Sequence, residues 1–111
     1  MMRAWVVQLR KGLVELCVMA ALRRGEAYGY ELLQQLANAE GLAVTESTVY
    51  PILSRLTTEG CVKVRAAPSP AGPPRRYYRL TPLGIARLRE MRGCWEDIQQ
   101  SINGLLKGGE A

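Results

Sequence analysis

An α+β fold, mainly α, is what this 111-residue sequence predicts, on three observations. Apolar residues recur at helical spacing in three segments before residue 60. The period then changes to strict alternation on either side of a proline-rich stretch, and the last segment carries an unbroken 3,4 repeat. Helix, helix, helix, strand, loop, strand, long helix is the order of a winged helix-turn-helix followed by a long C-terminal dimerisation helix. The expected division is residues 1–80 for the winged unit, with the wing at about 62–80, residues 81–107 for the terminal helix, and 108–111 for a flexible tail.

The first helix is expected from Leu9 to Arg23, where Leu9, Leu13, Leu16, Cys17 and Ala20 share a stripe and Gly25 is the C-cap. Val14, Val18, Met19, Ala21 and Leu22 make its other sides apolar too, so it serves both a core and a partner chain. The second helix, in "AYGYELLQQLANAEG", sets Leu32, Leu33, Leu36 and Ala37 on one stripe and ends near Gly41. The third runs from an N-cap at Thr45 to Gly60 and carries a proline, Pro51, inside it. Val62 and Val64 then alternate with Lys63 and Arg65. "APSPAGPP" forms the turn, because its prolines lack donors and fix the backbone. In "RRYYRL", Tyr78 and Leu80 face one way and Arg75, Tyr77 and Arg79 the other, which completes a two-stranded hairpin. Thr81 and Pro82 open the last helix as N-cap and first residue. Its seam, Leu88, Met91, Trp95, Ile98, Ile102 and Leu105, has coiled-coil spacing and is too long for so small a domain to cover, so homodimerisation is expected, with Leu9 and Leu13 joining the interface.

Composition narrows the function. Fifteen Lys and Arg against ten Asp and Glu give a net charge of +5, which favours an acidic partner such as nucleic acid. There is no histidine and one aspartate, Asp97, so no Ser/His/Asp set or carboxylate pair can be assembled and no enzyme is expected. Cys17, Cys61 and Cys94 are far apart and form no CxxC pair, which signals neither a disulfide framework nor a zinc site. Cys17 reads as a small core residue and Cys61 as the start of a strand, with thiol sensing as the sharper alternative. No cofactor or metal is implied. No segment is long and apolar enough for a signal peptide or a membrane span, so a cytoplasmic protein is expected.

On the third helix Val49, Ile52, Leu53 and Leu56 form the inward side, and Ser47, Pro51, Ser54 and Thr58 the outward one, flanked by Tyr50 and Arg55. Short side chains let such a helix approach a groove floor, while Arg55 reaches a phosphate or a guanine edge and the Pro51 ring offers an apolar surface to a thymine methyl or a sugar. Thr45 and Thr48 complete the candidate reading set. Lys63, Arg75, Arg76 and Tyr77 on the wing are candidates for phosphate or minor-groove contacts.

The stretches "YGYELLQQL", "STVYPILSRLTTEGCV" and "RRYYRLTPLG" resemble, in this order, the PadR family of bacterial transcriptional regulators, from about Leu13 to Gly84 and on into the last helix. The resemblance implies a homodimeric repressor with Thr48 to Pro51 and Arg75 to Tyr78 near double-stranded DNA, and a dimer with one reading helix per half-site is expected to bind an inverted-repeat operator. A single terminal helix is similar to the short subfamily, some of whose members bind flat aromatic molecules against a tryptophan on that helix. Trp95 therefore either fills the dimer core or lines a pocket for a small aromatic effector that releases the DNA, with Met91 and Trp5 as further lining; the sequence leaves both open. The alternative function is a winged-helix module that binds another protein and no DNA.

Overall fold

The computed structural model describes residues 2–38 and 44–108. Its elements follow as α1 (Met2–Arg23), β1 (Ala27–Tyr28), α2 (Gly29–Ala37), α3 (Glu46–Thr58), β2 (Val62–Ala67), β3 (Arg75–Leu80) and α4 (Pro82–Gly108). This is the expected mainly helical winged helix-turn-helix with a long C-terminal helix.

Four details differ from the sequence reading. The helix α1 begins at Met2 and not at Leu9. The cluster Trp5, Val6, Val7 has no helical period of its own, so the extension could not be seen. Next, α2 stops at Ala37 with Asn38 as C-cap, short of Gly41, which lies outside the described residues. The hairpin gains a third strand: Ala27 pairs with Tyr78 and Tyr28 with Tyr77, giving the antiparallel order β1-β3-β2. Last, Gly108, placed in the tail, is the final residue of α4.

One apolar core joins all these elements. Val14, Val18, Met19 and Leu22 from α1 meet Leu32 and Leu36 from α2, Val49, Leu53 and Leu56 from α3, Ala27, Val62, Tyr78 and Leu80 from the sheet, and Leu88 from α4. Each fully buried aliphatic side chain contributes about 1.5–3 kcal/mol. The side of α1 turned to this core is thus the one read as secondary, whereas Leu9 of the primary stripe is exposed and Leu13 half-buried. A helix apolar on two sides gives its period to neither, and only the neighbours decide which side goes inward.

The junction between α3 and α4 fixes α3 to the rest. Gly60, at φ +81°, takes the left-handed turn that ends α3. Thr81 donates from its amide to the Cys61 carbonyl at 3.0 Å and from its hydroxyl to the Gly60 carbonyl at 2.6 Å. The same hydroxyl accepts from the Gly84 amide at 3.1 Å, the N-cap bond expected of Thr81. Gly84 is buried, and a side-chain carbon there would stand 2.1 Å from the Cys61 carbonyl oxygen, so only glycine lets α4 approach the start of β2 so closely.

Candidate nucleic-acid interface

Helix α3 splits as its pattern requires. Val49, Leu53 and Leu56 are buried and Ile52 is half-buried against the core, while Ser47, Tyr50, Pro51, Ser54 and Thr58 are exposed. Thr45 occupies the N-cap position in extended conformation, and its carbonyl accepts from the Thr48 and Val49 amides, both at 3.1 Å. Its side chain makes no cap bond, contrary to expectation; the hydroxyl is instead 2.9 Å from that of Ser47. Thr48 is half-buried. The helix continues through Pro51, whose exposed ring crowns the outward face. Thr57 and Thr58 donate to the carbonyls of Leu53 and Ser54, at 2.7 and 3.1 Å, and so keep their hydroxyls on the helix.

Arg55 stands apart from the other candidates on this helix. Its guanidinium donates to the carboxylates of Glu15 on α1 and Glu59 at the α3 C-cap, and Glu59 also accepts from Arg87 on α4. Arg87 first and Arg55 second hold the Glu59 carboxyl below its ordinary range, and Glu15 followed by Glu59 holds Arg55 still more firmly protonated.

The outer face of the sheet is an ordered array of cations and rings. Arg65 donates through two nitrogens to Glu26, at 2.7 and 2.9 Å, and lies 4.7 Å over the Tyr77 ring. Tyr77 meets Tyr28 edge to face, with centroids 5.6 Å apart, and Arg75 lies 4.4 Å over Tyr28. The Arg65 hydrogen bond is the main reason the Glu26 carboxyl sits below its usual range. Lys63 and Arg76 are exposed and Arg75 is half-buried.

Helix α3 and the wing meet across a cleft of about 560 Å³. It brings Tyr50 of α3 together with Arg75 and Arg76 of the wing, and adds Tyr28, Gly29 and Tyr30, which sequence reasoning did not single out. Gly29 matters because a side-chain carbon there would fall 2.5 Å from the Tyr50 hydroxyl oxygen. Burial against this site pushes the Tyr50 hydroxyl above its usual range. The signal was present in "YGY", where β1 runs directly into α2, but a two-residue strand gives no period to read. Ser47, Pro51 and Ser54 share the exposed face of α3 but do not line the cleft.

A second groove, of about 410 Å³, runs between α1 and α4 and is lined by Leu16, Ala20, Arg23, Ile85, Leu88, Arg89, Arg92 and Trp95. Of the three pocket candidates, Trp95 lines it. Met91 packs against the core and Trp5 is exposed near the start of α1. The seam divides in the same way: Leu88 is 8% exposed within its own domain, whereas Ile98, Ile102 and Leu105 are 53%, 48% and 78% exposed. Among the described residues no cluster of three or more Cys, Asp or Glu is placed to hold a metal, and no helix is long and apolar enough to cross a membrane.

The pattern of the transcriptional regulator PadR-like family matches residues 18–90. The chain is 32% identical over 97 residues to a transcriptional regulator of Mycobacterium tuberculosis, covering 87% of this chain and 89% of that protein. The solved structure of a PadR family transcriptional regulator from Eggerthella lenta superposes with a TM-score of 0.85 at 32% identity, covering 95% of this chain and 91% of that one. A PadR-like transcriptional regulator from Bacillus cereus gives a TM-score of 0.79 at 33% identity, with 89% and 96% covered. Fold, motif order and these likenesses agree, and the chain belongs to the PadR-like family of transcriptional regulators.

Proposed function

We propose that this regulator is a homodimeric, sequence-specific repressor that acts on double-stranded DNA in the cytoplasm and is released by a small aromatic effector. The observation that carries the DNA reading is the cleft shared by Tyr50, Arg75 and Arg76, flanked by an outward α3 face of short side chains at Ser47, Pro51, Ser54 and Thr58. In this reading α3 enters the major groove, Thr45, Ser47, Thr48, Pro51 and Ser54 meet base edges or sugars, and Lys63, Arg75, Arg76 and Tyr77 meet phosphates.

The apolar residues on the distal half of α4, from Ile98 to Leu106, stay exposed among the described residues, which supports a second copy as their partner. Two readers related by a twofold axis fit an inverted repeat with half-sites about 34 Å apart. Trp95 in the α1–α4 groove supports an aromatic effector there, with Leu16 and Ile85 as apolar walls.

Gel shifts with random-sequence DNA across a salt titration test the reading. Binding at low salt that weakens steeply as salt rises is expected. No binding at low salt sinks it and leaves a protein-binding winged helix in its place.

A further inference from the structure

The last turn of α3 holds four charges in one line across three helices. Glu15 of α1 and Glu59 of the α3 C-cap share the guanidinium of Arg55, and Glu59 is shared in turn by Arg87 of α4. Both terminal nitrogens of Arg55 are therefore taken by carboxylates of its own chain, on the side of α3 that faces α1 and α4. A guanidinium bound in this way is not presented to a base edge.

What the line does follows from what else holds α3. The Thr81 bonds to the Gly60 and Cys61 carbonyls hold the turn after α3 to the start of α4, and Val49, Leu53 and Leu56 bury the inner side of the helix, where apolar burial is non-directional and fixes depth more firmly than rotation. Charge-assisted bonds from a planar guanidinium are directional, and these attach the C-terminal end of α3 to α1 and α4. Each pair is partly exposed, so its worth to stability is small and its effect is geometric.

We propose that Arg55 is a positioning residue that, through Glu15, Glu59 and Arg87, sets the orientation of α3 relative to α1 and α4, and thereby the half-site spacing the dimer accepts. This rests on the DNA-binding dimer proposed above. The half-site sequence belongs to the outward face of α3; the distance between half-sites belongs to this line of charges.

The test is selection from a random DNA pool with variable spacing, performed on the wild type and on Arg55→Gln, Glu59→Gln and Arg87→Gln. The wild type should select one spacing. All three variants should keep the half-site sequence, accept a broader range of spacings and lose on the order of tenfold in affinity for the wild-type operator, with melting temperature and sedimentation unchanged. Arg87 lies on α4, off the reading face, so its variant separates positioning from base contact. If Glu59→Gln and Arg87→Gln select as the wild type does, or if Arg55→Gln changes the preference at one base while spacing stays fixed, the proposal is overturned. A wild type that selects no sequence overturns the DNA-binding reading itself.

Discussion

A methyl group at position 84 has nowhere to go, because its carbon would meet the Cys61 carbonyl oxygen at 2.1 Å and the Leu80 side chain at 3.2 Å. The first of these is backbone already bonded to the Thr81 amide, so relief requires moving the α3–α4 junction and not a side-chain tip. Gly84→Ala should cost about 1–3 kcal/mol, the range for overpacking, although alanine has the better helix propensity. Urea unfolding measures it, and a variant within 0.5 kcal/mol of the wild type would contradict the close approach. At the same scale the sequence showed positions more readily than partners. Arg55 was visible as a flank of the reading face, yet its carboxylates come from Glu15, forty residues earlier, and from Glu59, and no local spacing connects the first of these to it. Tyr50 was legible as exposed, whereas its packing over Gly29 depends on how α2 and α3 cross.

Helix α4 is two elements in one. Its first turns, through Leu88 and Met91, belong to the domain core, and its distal half, from Ile98 onward, carries apolar residues open to solvent. Twenty-seven residues span about 40 Å, longer than the rest of the domain can cover. Replacing Ile98 and Ile102 together with Glu should abolish dimerisation in sedimentation while the unfolding transition of the winged unit persists; a variant that still sediments as a dimer contradicts the seam. The Thr81–Pro82 pair made the start of this helix legible and the 3,4 repeat from Leu88 its length, and alternation did the same for β2 and β3. What failed was the short and the unperiodic: β1 has two residues, and the start of α1 has apolar residues on every side. The seam itself could not say where core ends and open surface begins, because Leu88 and Ile98 repeat alike and differ only in what lies opposite them.

For the molecule as a whole, an excess of five positive charges is modest, but the fold gathers Arg75 and Arg76 beside Tyr50 at one cleft. Replacing both arginines with Gln should lower the slope of log affinity against log salt by about 2 per protomer while leaving the selected sequence unchanged. Fluorescence anisotropy over a salt series reads this, and an unchanged slope would place the wing away from phosphates. The choice of those two residues has a further ground in the strand order. Because β3 lies between its neighbours, β2 has a strand partner on one side only among the described residues, and every second residue of its six turns its backbone groups to the other side. Lys63 and Arg65 stand on that strand, and charges on an open strand discourage a second sheet from adding to it. Neutralising Lys63 would therefore remove a guard against self-association together with any contact to DNA, whereas β3 can lose its charges without uncovering a template for aggregation.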